Sequence, residues 1–427
     1  MKIFRKIHLW LSVPFGLIIT LICFSGATLI FEPEITRSIK SDVYYVSSSE
    51  GDPLPMNELM QRLETSLPDS VSVTGVTLFA DKNRTYRVNL SNSGTGPVFV
   101  DQYSGRITGT DERLGFFTTM LRLHRWLLDD TPRGEGIKVG KLIVGISTIM
   151  FVITLITGVV IWWPRARKNF RRSLSLYIKK GWRAFWMSLH VAGGMYALVL
   201  VLVMALTGLT WSFDWYRDAF YAVCGVPQTS QNTSATTSDG KSAKPTKENL
   251  SKNGNPSGKN NTKENLSKGV NPSGRSNNKP EKVDNLGKIK GFDKSNGDDT
   301  DKSSDSKYKD WQRVADAIKS QYPDAPQITI GPKTVTVNLS ATGNPRASDI
   351  YLYSQTTPEL TPLKKYVDST PADRLRGWIY AIHTGTWGGL LTRILWFLGA
   401  LLAATLPLTG YYLWLKRLLP KTTRKIH

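Results

Sequence analysis

Four stretches of this chain are apolar for long enough to cross a bilayer. Residues 7–31, 141–163, 187–213 and 393–414 are almost free of charge, and each reaches the roughly 20 residues that span a hydrocarbon core of about 30 Å. Buried core helices need shorter runs, so four of this length predict four transmembrane helices. The first follows a basic start, Met1–Lys6, as a secretory leader would. Its apolar run exceeds a typical leader core and no A-x-A-like cleavage site follows, so a retained helix is expected.

The segments between these runs have a different period. Met56–Leu67 places Leu59, Met60, Leu63 and Leu67 on one helical face, and Val71–Phe79, Arg84–Leu90 and Pro97–Asp101 read as strands. The later segment repeats the order, with a helix at Trp311–Gln321 and strands at Gln327–Ile330, Thr334–Leu339 and Asp349–Tyr353. Helix followed by small antiparallel sheet is an α+β pattern. The expected fold is an α-helical membrane protein carrying two small α+β domains, at 32–122 and 308–370, outside the cytoplasm. Between them, residues 227–307 are rich in Lys, Asn, Ser, Gly and Asp. Thr246–Lys252 recurs as Thr262–Lys268, and Asn255–Gly258 as Asn271–Gly274, each 16 residues on. A repeat this polar buries no core, so a disordered insert is expected.

Lys and Arg set the orientation. Lys2, Arg5 and Lys6 precede the first helix. The 164–186 loop carries Arg165, Arg167, Lys168, Arg171, Arg172, Lys179, Lys180 and Arg183 without an acid, and the tail carries Lys416, Arg417, Lys421, Arg424 and Lys425. The positive-inside rule puts these segments, and both termini, in the cytoplasm. The formal charge of +21 is in part this topology signal. No zinc-finger spacing or RNA-recognition signature accompanies it, so nucleic acid is not an expected partner. The two cysteines, Cys23 and Cys224, lie on different segments, and no C-x-x-C-H offers covalent c-type haem attachment.

The membrane segments carry a second repeat. With His8 aligned on His190, Gly26 falls on Gly208, Thr28 on Thr210 and Phe31 on Phe213. Thr157-Gly158 in the second helix matches Thr409-Gly410 in the fourth, each Gly followed four residues later by Trp162 or Trp414. The chain reads as helix, outer domain, helix, written twice in one orientation.

Of five histidines, His427 ends the basic tail and carries no expected role. His8 and His190 begin their helices at the cytoplasmic face, and His124 and His383 precede theirs at the outer face. Ionisable groups near a membrane core are costly and tend to be functional. Opposite faces are about 30 Å apart, so the workable pairs are His8 with His190 and His124 with His383. Two imidazoles on facing helices suit a haem iron, whereas zinc wants three or four ligands. Gly193, Gly194, Gly385, Gly388 and Gly389 offer room for a flat macrocycle. Arg122, Arg125, Arg374 and Arg376 outside, and Arg5, Lys6 and Arg183 inside, are candidate propionate partners. Trp10, Trp126, Trp186, Trp378 and Trp387 are candidate ring neighbours. The same residues also read as ordinary interfacial histidines, packing glycines and an aromatic belt, and the residues alone leave both readings open.

The chain also resembles a known family. His8-Leu9-Trp10, Phe24-Ser25-Gly26-Ala27-Thr28, Leu123-His124-Arg125-Trp126-Leu127, Thr157-Gly158 through Trp162-Trp163-Pro164-Arg165, Leu189-His190 and Leu206-Thr207-Gly208 are similar to elements of the PepSY-associated transmembrane family. Val98–Gly105 resembles the closing strand and turn of a PepSY domain. The family includes iron-regulated membrane proteins and ferric-siderophore reductases. The resemblance implies two b-type haems, with His8, His190, His124 and His383 as axial ligands to the haem iron. It further implies a bacterial inner-membrane oxidoreductase. Electrons would pass from a cytoplasmic or quinol donor to an extracytoplasmic ferric siderophore or other acceptor. No G-x-G-x-x-G follows a strand, so a separate electron source is expected. The alternative is a non-enzymatic PepSY membrane protein that binds or regulates a peptidase or other envelope partner. A metal transporter is disfavoured because the helices carry few mid-membrane polar residues beyond Ser and Thr.

Overall fold

The computed structural model describes residues 1–91, 96–130, 136, 138–226, 304–339, 342–354 and 359–418. The polar repeat, most of the basic tail and His427 lie outside the described residues, as does the expected insert apart from its last four positions, which open a helix at Ser304.

Chain order gives α1 (Lys2–Leu29), α2 (Glu32–Ile39), α3 (Ser41–Tyr44), α4 (Met56–Ser66), β1 (Val73–Phe79), β2 (Tyr86–Leu90), β3 (Val98–Val100) and β4 (Ile107–Thr110). Next come α5 (Gly115–Trp126), α6 (Val139–Lys168), α7 (Phe170–Ser173), α8 (Trp182–Ser188), α9 (Gly194–Ser212) and α10 (Asp214–Val223). The later half adds α11 (Ser304–Gln321), β5 (Gln327–Ile330), β6 (Thr334–Asn338), β7 (Ser348–Tyr353), β8 (Leu360–Lys364), α12 (Pro371–Thr384) and α13 (Gly389–Leu418). Four helical stretches, Lys2–Leu29, Val139–Lys168, Trp182–Ser212 and Thr386–Leu418, are long and apolar enough to cross a membrane. They overrun the apolar runs at their basic ends, because a helix continues past the hydrocarbon wherever Lys and Arg can reach the interface.

The four spans alternate in direction. α1 packs on α6 and α13, and α9 packs on the same two helices, so the bundle is a ring with α1 and α9 on one diagonal. Ile19, Phe151, Leu155, Ala197, Val201 and Ala403 fill its middle. The third span is interrupted by a π-helical turn at Leu189–Gly193 between α8 and α9, a one-residue insertion that shifts the facing of what precedes it.

Outside the spans the two α+β halves share one sheet. Its eight strands run β4-β3-β2-β1-β5-β6-β7-β8, with β1 and β5 antiparallel at the seam, Val76 opposite Ile330 and Phe79 opposite Gln327. A hydroxyl pair, Thr77 with Thr329 at 3.0 Å, closes the join. Each half turns its alternate apolar residues to one face, where α4 and α11 pack side by side. Leu59, Met60 and Leu63 meet Trp311, Ala315, Ile318, Val76, Ile330 and Val337, all essentially excluded from solvent. Pairing edge to edge removes two open sheet edges at once.

Two short helices connect sheet to membrane. α12 begins at Thr370, whose hydroxyl accepts from the Asp373 amide at 3.1 Å, with proline at the first helical position. It ends at Gly385 in the left-handed region (φ 74°). Its counterpart α5 ends at Leu127 and Leu128, with φ of 48° and 66°, where a side chain costs of order 1 kcal/mol per residue.

Candidate functional site

The four span-associated histidines meet as two pairs. His8 of α1 and His190 in the π-helical turn lie with ring centroids 6.3 Å apart and planes at 88°. His124 of α5 and His383 of α12 lie 6.2 Å apart at 52°. The first pair sits at the basic end of the bundle and the second at the sheet end. Eighteen residues of α1 separate His8 from Gly26, the glycine beside His124, which is about 27 Å of helix rise.

One local device recurs at all four. His8 Nδ1 donates to the Thr154 carbonyl at 3.1 Å and lies 3.1 Å from Thr157 Oγ1. His190 Nδ1 donates to the Leu406 carbonyl at 3.1 Å and lies 2.8 Å from Thr409 Oγ1. His383 Nδ1 donates to the Met204 carbonyl at 3.0 Å and lies 3.1 Å from Thr207 Oγ1. His124 Nδ1 donates to the Ile22 carbonyl at 2.8 Å, while Ser25 Oγ turns to the carbonyls of Leu21 and Ile22. The carbonyl in each case lies three residues before a buried Ser or Thr, and the next residue is Gly26, Gly158, Gly208 or Gly410. Each glycine faces the same imidazole: a Cβ would meet His124 Cε1 at 2.7 Å, His383 Cε1 at 3.1 Å, His8 Cε1 at 3.4 Å and His190 Cε1 at 3.5 Å from Gly26, Gly208, Gly158 and Gly410 respectively. The missing side chain lets the ring lie against the helix backbone.

A carbonyl only accepts, so Nδ1 carries the proton and Nε2 keeps its lone pair. That is the tautomer of a metal-ligating histidine whose other nitrogen is anchored. Two imidazoles bound through nitrogen to one metal at about 2 Å, with each nitrogen about 1.1 Å from its ring centre, put the centroids about 6 Å apart. The spacings of 6.3 and 6.2 Å fit that requirement. Among the described residues no group of three or more His, Cys, Asp or Glu could hold a metal ion, so zinc-type coordination finds no protein ligand set. A group that brings its own in-plane ligands and needs only two axial imidazoles fits the residues present.

The surroundings differ from the sequence expectation. Gly193 and Gly194 face Leu402 and Leu406, Gly385 faces Trp396, and Gly388 faces Thr392, so these glycines serve helix packing and turns. The four in contact with imidazole are instead those of the Ser/Thr-Gly steps, legible in the sequence only as a repeat. Arg122 is ion-paired with Asp130, and Arg125 lies over the Trp126 ring at 4.6 Å. Trp186 stacks on Trp182 and Trp387 packs on Trp396. Among the described residues, the aromatic ring besides the partner imidazole in contact with a paired histidine is Trp211, 5.1 Å from His383. It was missed because belt tryptophans offer no signal that separates them.

A family model described as "PepSY-associated TM region" matches residues 5–417 of the chain. No curated protein matches it.

Proposed function

We propose that this chain, which belongs to the PepSY-associated TM region family, is a di-haem b membrane oxidoreductase that passes electrons across the membrane to a ferric acceptor, with siderophore iron the leading substrate. The observation that supports this most is the fourfold device: two imidazole pairs at axial-ligand spacing, every Nδ1 anchored and every ring against a glycine. Ordinary interfacial histidines have no reason to pair, to share a tautomer, or to sit at the same place relative to a Ser/Thr-Gly step.

His8 and His190 would hold one haem and His124 and His383 the other, through Nε2. When bound, each haem supplies a one-electron couple whose potential the protein sets through axial ligands and their hydrogen bonds. The Thr154, Leu406, Met204 and Ile22 carbonyls hold the imidazoles in orientation and raise their basicity. The apolar middle of the bundle keeps water and protons out of the path between the pairs. The overall chemistry balances as one electron per ferric centre. A quinol donor would lose two electrons and two protons for every two Fe(III) reduced to Fe(II). Hard oxygen ligands grip Fe(III) far more tightly than Fe(II), so reduction releases the metal. On this reading the basic face, which carries both termini, is cytoplasmic, the membrane is a bacterial inner membrane, and the sheet end faces the acceptor.

The test is a visible spectrum and haem-to-protein ratio of detergent-purified protein. Two haems per chain with a split visible region on reduction is expected, and His8→Ala or His383→Ala should each remove one. A colourless protein from a haem-replete host would sink the reading and favour the non-enzymatic alternative, a binding or regulatory partner of a peptidase or other envelope protein.

A further inference from the structure

The basic end of the bundle carries no acidic side chain of its own. No Asp or Glu occurs in residues 1–31, 136–213 or 374–427, which hold all four spans and the segments that join or end them there. Among the described residues, none of Arg165, Arg167, Lys168, Arg171, Arg172, Lys179, Lys180 and Arg183 forms an ion pair. The anions that balance this face come from outside the chain.

Orientation across a bilayer needs those charges but does not need them folded. The 164–186 loop is nevertheless folded back on the bundle. The Phe170 ring packs on buried Trp162 of α6, with centroids 5.9 Å apart. The Tyr177 amide donates to Ser188 Oγ at 3.0 Å, and the Tyr196 hydroxyl of α9 donates to the Leu174 carbonyl at 2.8 Å. Tyr196 is nine residues into the apolar run 187–213, about 14 Å of rise. That is further than a tyrosine side chain reaches, so Leu174 lies alongside the span and not in water beyond its end.

Between this loop and α9 an open cavity of about 490 Å³ is lined by Phe170, Arg171, Leu174, Ser175, Leu176 and Tyr196. Its one charge is Arg171. The Ser175 and Tyr196 hydroxyls already donate to carbonyls, and the rest of the lining is apolar. In and beside it, Phe170, Tyr196, Trp182 and Ile178 are 60, 59, 70 and 75% exposed. Large apolar side chains this bare, interleaved with Arg and Lys, mark a surface that lies in a bilayer interface. The occupant that matches both parts brings negative charge to the loop and hydrocarbon to α9. Free phosphate meets the first and leaves the second bare; a zwitterionic lipid does the reverse.

We propose that this cavity binds an anionic phospholipid, its phosphodiester on the Arg171 guanidinium and an acyl chain along Leu174, Leu176 and Tyr196. The site uses none of the four paired histidines, so it stands apart from the electron-conduit reading. Full-length protein in detergent, given phosphatidylglycerol or phosphatidylcholine with the same acyl chains, is read by native mass spectrometry for lipid retained per chain. The wild type should hold phosphatidylglycerol at least about fivefold more tightly, the contribution of one cation near an anionic head group. Arg171→Gln should bring that ratio close to one. Because the side chain is exposed, the variant should keep the wild-type phosphatidylcholine retention and the wild-type unfolding midpoint. Leu176→Glu, at a second exposed position, sets an anion in the cavity and should turn the preference the other way. Lys416→Gln with Arg417→Gln removes two charges from the same end but outside the cavity, and should preserve the preference. Equal retention of the two lipids by the wild type, or a preference that survives both cavity variants, overturns the proposal. So does equal loss in the Lys416 and Arg417 double variant, which would leave only the diffuse charge of a basic face. Displacement of phosphatidylglycerol by inorganic phosphate at constant ionic strength overturns it as well and makes the site one for a free anion.

Discussion

Alanine at each of the four imidazole-facing glycines adds one methyl group to a helix, and the geometry ranks the outcomes. At Gly26 the new Cβ would stand 2.7 Å from His124 Cε1, so the ring must retreat by about 0.7 Å to reach ordinary contact. It cannot do so freely, because Nδ1 is tied to the Ile22 carbonyl at 2.8 Å on the same helix. Either the hydrogen bond breaks or the ring leaves its partner, and overpacking of this kind costs about 1–3 kcal/mol. At Gly208 the approach is 3.1 Å and a small adjustment suffices; at Gly158 and Gly410 it is 3.4 and 3.5 Å, normal contact. A fall of about 1–3 kcal/mol in ligand binding is roughly a 5- to 150-fold loss of affinity. On the proposed di-haem reading, Gly26→Ala should therefore lose or weaken haem at the sheet end, Gly208→Ala should weaken it less, and Gly158→Ala and Gly410→Ala should keep both. Haem stoichiometry of purified variants, with low-temperature spectra to separate the two sites, measures this. Equal occupancy in all four would refute the cradle argument, and so would loss at the basic end from Gly26→Ala.

Other outcomes follow from the same contacts. Thr409→Val removes the hydroxyl 2.8 Å from His190 Nδ1 and leaves the Leu406 carbonyl. On the proposed di-haem reading it should weaken haem retention at the basic end by about tenfold and shift that site's potential, read by redox titration, without disturbing the sheet-end site. The Arg393 hydrogen bond holds the Glu34 carboxyl below its ordinary pKa of 4.5, so its contribution to stability is present above that pH and lost as pH falls through the depressed folded-state value. Wild-type unfolding midpoints should then drop more steeply below about pH 4.5 than those of Glu34→Gln, with the two curves converging in acid; parallel curves would contradict the pairing. Leu63→Ala, at a fully buried position between α4 and the sheet, should cost about 2–5 kcal/mol in denaturant unfolding of the sheet region, followed in the full chain. The two halves share that core, so the loss should appear as one transition.

Long periodic elements were legible and joints were not. The four spans follow from hydropathy alone, since no other structure of that length satisfies its backbone in lipid. Strands β1 to β3 and β5 to β7 follow from alternation. The eight-stranded sheet was not legible as one object. Nothing local in Val73–Phe79 or Gln327–Ile330 says that they pair with each other across more than 240 residues. Two small α+β units are the simplest reading when each half carries its own helix and strands. β8, with Pro362 inside and mostly exposed side chains, lacks the pattern of a strand because it closes an edge.

The histidine pairs lie between these cases. The sequence provided depth, two imidazoles near each face, and the alignment of His8 on His190 provided equivalence, which together name the pairs. It did not provide the glycine contacts, because a glycine in a membrane helix is ordinary packing until something is known to lie against it. The duplication held the missing information in another form. Gly26 with Gly208 and Gly158 with Gly410 recur because each accommodates a ring, and the Ser or Thr before each recurs because a ring lying there brings its Nδ1 to the same carbonyl. The two halves diverge where the ring is reached differently. His8 sits in a regular helix, whereas His190 needs a π-helical turn; α12 ends on a glycine, whereas α5 ends on two strained leucines. The geometry kept through those divergences is the pair of rings about 6 Å apart, so that spacing, and not the helices that achieve it, is what both halves of the chain are built to deliver.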